Sequence, residues 1–299
     1  MAIETRFEEL EPTARTRLAA QRRPLFRADN AYLVMTYAVL IVACLIALVP
    51  FLYVISTSLK ETRALFSYPP RWIPEDPTTI NYRNLIDEHP FLRWTFNSFF
   101  VASVVTVIKV VFDSMAGYAF AKMRFAGRDA LFLLVLLTLM IPFSATLIPL
   151  YIIVRELHMT NSYWGLILPP LASPIGIFMM RQFIESLPSD LENAARLDGC
   201  SEFQIYRRVI LPLIRPGLVV LGVFTFMNQW TSYLWPLVVN TQQEMMTLTV
   251  GIQSLRSLFT VDWGILSAGA VLSMLPLVLV FIFLQRFFIA GSIAGALKE

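Results

Sequence analysis

The sequence predicts an all-α, polytopic membrane protein: six transmembrane helices, with a helix–turn–helix on the cytoplasmic side between the fourth and the fifth. Three observations predict it. Of the 299 residues, 57% are hydrophobic and 15% charged, and mean hydropathy is +0.63; soluble domains carry roughly 25% charged residues. Apolar runs of about 20 residues, the length that crosses a bilayer core, recur along the chain. The stretch LENAARLDGCSEFQIYRRVILP (191–212) stands out from oily neighbours on both sides.

The six apolar runs are 32–56, 96–121, 130–152, 163–184, 217–240 and 264–288. A long charged segment precedes the first, which has no small-residue cleavage site and is read as a retained span. Lys and Arg are held on the cytoplasmic side of membranes. With the N-terminus inside, sixteen of the 24 Lys and Arg fall on the cytoplasmic side, counting Arg181 and Arg286 at the cytoplasmic ends of their spans; seven fall outside, and Lys109 lies well within a span. Both termini are therefore expected in the cytoplasm. The chain divides into an N-terminal segment (1–31), a membrane domain (32–290) and a tail (291–299). The membrane domain includes an external segment, 57–95, whose Pro and aromatic residues predict an ordered cap, and the charged loop 185–215.

Several function classes are excluded. A net charge of +3 without a basic, aromatic-interleaved patch gives no basis for nucleic-acid binding. Two cysteines, Cys44 and Cys200, and two histidines, His89 and His158, form no disulfide framework or metal spacing. A G-x-S-x-G nucleophile turn and a G-x-x-x-x-G-K-[ST] phosphate loop are both missing, so the chain has no visible means of hydrolysing ATP.

In the charged loop, Ser189 with Glu192 and Ser201 with Gln204 have capping-box spacing, and Gly199 suits the left-handed turn that ends a helix. The expected result is helix, tight turn, helix, closed by Pro212. Leu191, Ala194 and Ala195 are expected on one face of the first helix, and Phe203, Tyr206, Val209 and Ile210 on one face of the second. Over 181–215 five acidic residues match five basic ones, whereas a helix lying on anionic lipid has a basic polar face. A balanced, capped hairpin is suited to docking on another protein.

In the fifth span, Asn228, Gln229, Trp230, Thr231, Ser232 and Tyr233 bring amides, hydroxyls and aromatic rings together. Rings stack on the C–H faces of sugars and polar groups bind their hydroxyls, so this cluster fits a hydroxylated solute. Interhelical polar packing beside an aromatic belt is the alternative. Lys109 and Asp113, one turn apart in the second span, are either a self-neutralising structural pair or part of a pathway for an anionic solute. Pro142 and Pro149, then Pro169, Pro170 and Pro174, then Pro276 are expected to interrupt the third, fourth and sixth spans.

Within NAARLDGCSEFQIYRRVILP, Ala194, Ala195, Gly199, Val209, Leu211 and Pro212 fall in register with the EAA loop of ABC importer permeases, which the segment resembles; Asn193 stands where that motif has Glu. SLKETRALFSYPPRWIPEDPTTINYRNL, GYAFAKMRFAGRD and FIAGSIAGALKE are similar to the corresponding segments of carbohydrate permeases, and the chain resembles the smaller permease of the maltose and glycerol-phosphate type. WTSYLWP is similar to that family's Trp-Asn-x-Phe/Tyr-Leu-x-Pro segment, with Thr231 in place of Asn.

The resemblance implies a non-catalytic subunit of the bacterial or archaeal cytoplasmic membrane that imports a sugar or oligosaccharide by alternating access. Its implied partners are a second, homologous permease, two ATPase subunits, an extracytoplasmic solute-binding protein and membrane lipid. No cofactor is implied for this chain; ATP and Mg belong to the ATPases. Coupling to them is assigned to Glu192, Ala194, Ala195, Asp198, Gly199, Phe203, Tyr206, Arg207 and Pro212, and the tail is expected to reach between them. An autonomous secondary carrier or channel is the competing class.

Overall fold

The computed structural model describes residues 26–61, 71–256 and 261–296, with side chains described for 32–61, 71–256 and 261–283. Among these residues all regular secondary structure is helical. The basic N-terminal segment through residue 25 and the end of the tail, 297–299, lie outside the described residues.

The chain separates into two compact units, residues 1–53 and 54–299. The first contains most of helix α1 (Phe26–Ser58), a 33-residue helix with Pro50 inside it. From Tyr32 onward nearly every α1 side chain in this unit is exposed, large apolar ones included. A helix apolar on all sides is one that an apolar environment surrounds.

The second unit is organised around α3 (Phe91–Lys122), preceded by the short α2 (Ile80–Glu88). At about 1.5 Å per residue, the 32 residues of α3 exceed the roughly 30 Å hydrocarbon core. It therefore emerges at both ends and carries packing partners along its length. One apolar cluster joins Leu85, Phe91, Trp94, Trp230, Leu248, Ile265 and Ala268 near its start. A second joins Val101, Val105, Val154, Leu166, Ile167, Trp235 and Val239 at its middle. A third joins Tyr118, Met180, Ile184, Ile205, Tyr206, Ile210 and Leu221 at its end.

Because lipid tails are as apolar as these side chains, close packing and polar bonds hold the helices together more than the hydrophobic effect does. Gly117 shows it: a Cβ there would lie 2.6 Å from Met180 Cβ and 2.9 Å from the Arg181 amide nitrogen. The backbone of α7 passes that close. At the other end, a Cβ on Gly251 would lie 2.2 Å from the fully buried Trp94 ring.

The spans after α3 depart from uniform rods. α4 (Arg128–Thr138) and α5 (Phe143–Glu156) meet at 97°, α6 (Tyr163–Leu171) and α7 (Pro174–Glu185) at 43°. Pro142 caps α5 and Pro174 opens α7, where a proline's missing N–H makes a helix start cheap, but Pro149 lies inside α5 and Pro169 and Pro170 inside α6, so those three expected interruptions are corrected. The fifth span is also broken, which the prolines did not signal: α10 (Arg215–Trp230) stops, and α11 (Leu234–Val239) follows after three residues. By contrast Pro276 lies inside α13 (Trp263–Ala296), which continues through it. The expected interruption of the sixth span is therefore corrected. Among the described residues, three helices are long and apolar enough to cross a membrane alone, and up to six spans result if each bent pair is one.

Asparagines tie down the loop 240–247 between α11 and α12 (Leu248–Ser254). Asn97 Nδ2 donates to the carbonyls of Glu244 (2.8 Å) and Met246 (2.9 Å), and Tyr163 Oη donates to Asn97 Oδ1 at 2.7 Å. Asn161, at φ 51°, accepts from the amides of Thr241 (2.7 Å) and Gln242 (2.9 Å). Asparagine tolerates this left-handed backbone better than other L-residues. In the external segment Asn81 plays a similar part, donating to the carbonyls of Ser58 and Lys60 at 2.8 and 2.7 Å.

Candidate functional site

The charged loop folds into α8 (Asp190–Leu197) and α9 (Glu202–Leu213). Gly199 joins them at φ 79°. Its amide donates to the Arg196 carbonyl and the Cys200 amide to the Ala195 carbonyl, both at 3.0 Å. This bond pair satisfies the open carbonyls of α8 and turns the chain sharply. Ser201 and Gln204 complete a reciprocal capping box that starts α9.

The structure corrects three local expectations. Ser189 has helical backbone angles and no capping bond, because the side chains that would form the box turn elsewhere: Ser189 Oγ accepts from Lys122 Nζ at 3.3 Å and Glu192 pairs with the same ammonium. Pro212 does not close α9. A π-helical turn over Tyr206–Ile210 precedes it, and the helix runs through to Leu213 before a 79° bend into α10. The widened turn accommodates a residue that cannot donate. The expected faces also change. Leu191 and Ala194 are exposed while Ala195 is buried; Phe203 is exposed while Ile205, Tyr206 and Ile210 are buried.

Leu197 is 90% exposed at the hairpin tip, with Phe203 at 59%. Asp198, Arg207 and Gly199 are exposed beside them. The opposite face is fastened to α3 by polar groups. Glu192 Oε1 lies 3.0 Å from Lys122 Nζ; within the hairpin itself, Arg196 binds Glu202 through Nε at 2.9 Å and Nη2 at 3.3 Å. Tyr118 Oη donates to Glu202 Oε2, and the hydroxyls of Ser114 and Tyr206 share a bond, both at 2.7 Å. Sequence reasoning missed Lys122, Tyr118 and Ser114 as parts of this site, since their partners lie 65 to 92 residues away, and it missed Arg196, whose partner Glu202 comes into reach only across the Gly199 turn.

The bond from Arg196, and then that from Tyr118, hold the Glu202 carboxyl below the usual carboxylate range. A lowered folded pKa contributes stability that is full above the unfolded value and lost as pH falls through the folded value. The α8–α9 clip is thus expected to loosen only on acidification past that lowered pKa. Glu202→Gln reproduces the acid state at neutral pH, and faster hydrogen exchange of the 196–206 amides in that variant is the expected readout.

Gly199 has open space around the position of a Cβ, so its requirement is the backbone angle alone. Gly199→Val is expected to strain the turn by about 1–2 kcal/mol, the cost of a left-handed L-residue. The chain should still reach the membrane; if the hairpin is the coupling loop that its resemblance implies, uptake per ATP hydrolysed is the quantity that falls.

The candidate pathway residues separate. Trp230 is buried and donates to the Ser273 carbonyl at 3.1 Å. Thr231 donates to the Met227 carbonyl at 2.8 Å, and the Ser232 carbonyl accepts from Thr249 at 2.6 Å. Asn228, Thr231 and Tyr233 are exposed at the α10–α11 break; Gln229 is half-buried. Lys109 and Asp113 stand apart from them, paired at 3.0 Å with side chains 6% and 4% exposed. Lys109 also donates to the Ser173 carbonyl at 3.1 Å.

The chain matches the model of a family described as binding-protein-dependent transport system inner membrane component over residues 113–291. It is 40% identical to the arabinooligosaccharides transport system permease protein AraQ of Halalkalibacterium halodurans, over 75% of this chain and 81% of that protein. It is 34% identical to the sulfoquinovosyl glycerol transport system permease protein SmoH of Agrobacterium fabrum, over 84% and 89%. With the sn-glycerol-3-phosphate transport system permease protein UgpE of Salmonella typhi it shares 31% identity, over 87% and 95%. Among solved structures, a chain of a bacterial ABC transporter that imports the acidic polysaccharide alginate superposes with a TM-score of 0.76 at 23% identity, covering 88% of this chain and 98% of that one.

Proposed function

Because the chain belongs to the family of binding-protein-dependent transport system inner membrane components, as a non-catalytic permease subunit of an ABC importer, we propose that it carries a neutral sugar or oligosaccharide into the cytoplasm. The observation that carries the solute class is the break at Thr231–Tyr233, which leaves Asn228, Thr231 and Tyr233 exposed in a span otherwise apolar. Polar groups at membrane depth face a partner or a water-filled path, since exposure to lipid is costly. An amide, a hydroxyl and a phenol ring suit a solute of many hydroxyls.

The proposed assembly adds a second, homologous permease, two ATPase subunits that hold ATP and Mg, and an extracytoplasmic solute-binding protein. No cofactor is proposed for this chain. Both termini are cytoplasmic in this reading, which places the hairpin on the ATPases and the asparagine-held loop 240–247 outside, toward the binding protein. The tail between the ATPases is part of the same proposal. ATP-driven closure of the ATPases then moves the hairpin, and the bent spans reorient between outward- and inward-open states.

Anionic solutes are named for several relatives. Here Lys109 is already neutralised by Asp113, which favours an uncharged solute. Vesicles holding the co-purified transporter, tested with neutral and acidic oligosaccharides and binding protein, decide the matter. ATP-dependent uptake of a neutral sugar is expected. Asn228→Ala and Tyr233→Ala should each raise the apparent KM about tenfold, roughly 1.4 kcal/mol, with ATPase subunits retained. Uptake driven by an ion gradient by the chain alone would overturn the importer reading.

A further inference from the structure

We infer that Lys122 and Tyr118 of α3 latch the coupling hairpin to the membrane core, so that Glu192 acts inward as a positioning residue of energy coupling and makes no contact with an ATPase. The inference rests on the importer reading above.

The Lys122 and Glu192 side chains are 6% and 2% exposed, so a protein docking on the hairpin cannot touch this carboxylate. Beside Glu192, the Lys122 ammonium donates to the Leu187 carbonyl at 2.7 Å and to Ser189 Oγ at 3.3 Å, both in the connection between α7 and α8. One ammonium, through an ion pair and two hydrogen bonds, thus gathers the chain entering the hairpin, its first helix and the end of α3. Glu192 Oε2 lies 3.8 Å from Arg196, which grips Glu202, which accepts from Tyr118 one helical turn before Lys122. Both hairpin helices are therefore tied to one turn of α3.

A buried ion pair adds little net stability, because desolvation offsets attraction; its best-attested use is to fix register. Here the register is that of a hairpin on a long helix. Apolar packing of Ile205, Tyr206 and Ile210 against Tyr118 and Met180 tolerates sliding, whereas an ion pair and the hydrogen bond from Tyr118 to the charged Glu202 carboxylate do not. Displacement of the exposed hairpin face thereby reaches α3 without slack. α3 in turn packs on α7 and α10, the helices flanking the hairpin in the chain.

The test uses the whole transporter in vesicles, read as solute taken up per ATP hydrolysed. Lys122→Met is expected to keep the ATPase subunits through purification and to hydrolyse ATP, with uptake per ATP reduced at least tenfold. Lys122→Arg, which preserves the charge, is expected to recover it to within about threefold. Wild-type uptake per ATP in Lys122→Met would overturn the latch, as would loss of the ATPase subunits, which would mean that the pair only shapes the docking face. Should Lys122→Met fail to accumulate, Tyr118→Phe removes one hydroxyl from the same latch at little cost in packing. A severalfold loss of uptake per ATP then supports the inference, and no change overturns it. A wild-type chain that purifies without ATPase subunits overturns the importer reading as well; wild-type coupling with a silent Lys122→Met overturns the latch alone.

Discussion

Asp113→Ala is expected to remove the protein from the membrane fraction or leave it sharply destabilised. Its carboxylate is 3.0 Å from Lys109 Nζ, and both side chains are almost wholly buried where α3 crosses α7. Removing one partner of a buried pair strands the other charge, at a cost of about 3–5 kcal/mol, against a total stability on the order of 5–15 kcal/mol. The hydrogen bond from Lys109 to the Ser173 carbonyl cannot replace a counter-charge.

Lys109→Met in the same chain removes the stranded ammonium and is expected to restore accumulation, since replacing both partners of a buried pair is often close to neutral. Gly176→Ala should resemble the single variant, because a Cβ there would lie 1.8 Å from Asp113 Oδ2 and push the carboxylate off Lys109. Membrane abundance and thermal stability in detergent are the measurements. Normal uptake by the double variant assigns the pair a structural role; a folded double variant that cannot transport places it on the pathway.

The second large effect is expected at the hairpin tip. Leu197 exposes 90% of its surface, and Phe203 and Ala194 are exposed near it. If an ATPase covers this face, Leu197→Asp buries an unpaired carboxylate in the interface, and retention of the ATPase subunits should fall about a hundredfold, roughly 2.7 kcal/mol. The substitution touches nothing inside the chain, so the permease itself should fold and insert unchanged. Subunit stoichiometry after purification reads the first effect and membrane abundance the second. Full retention of ATPase subunits would remove the tip from the interface. Paired with Lys122→Met, the variant separates two jobs of one hairpin, docking outward and holding inward.

Much of this was legible in the residues. Composition and run length suffice to identify a helical membrane protein, because twenty apolar residues have no comparable home in water. The turn at Gly199 and the Ser201–Gln204 box form as read, since each closes its hydrogen bonds within a few residues. Breaks at Pro142 and Pro174 follow the same rule. The resemblance of the hairpin to a coupling loop gave the family, in which the comparisons place the chain.

What the sequence by itself determined is therefore local: the turn at Gly199, the helix starts at Ser201, Pro142 and Pro174, and which segments belong in lipid. Tertiary structure decided the rest. It turned Glu192 from a cap into a latch, because Lys122, seventy positions back, offers a full charge where the Ser189 box would have offered only a backbone amide. It set Phe203 outward and Ile205 inward, a choice that helical periodicity leaves open until a neighbour claims one face. It carried α9 through Pro212 and α13 through Pro276, because a proline breaks a helix only where packing does not hold the chain on course. Hydrogen bonds between near neighbours are specified by spacing, whereas the direction a side chain faces depends on groups that only the folded chain brings within reach.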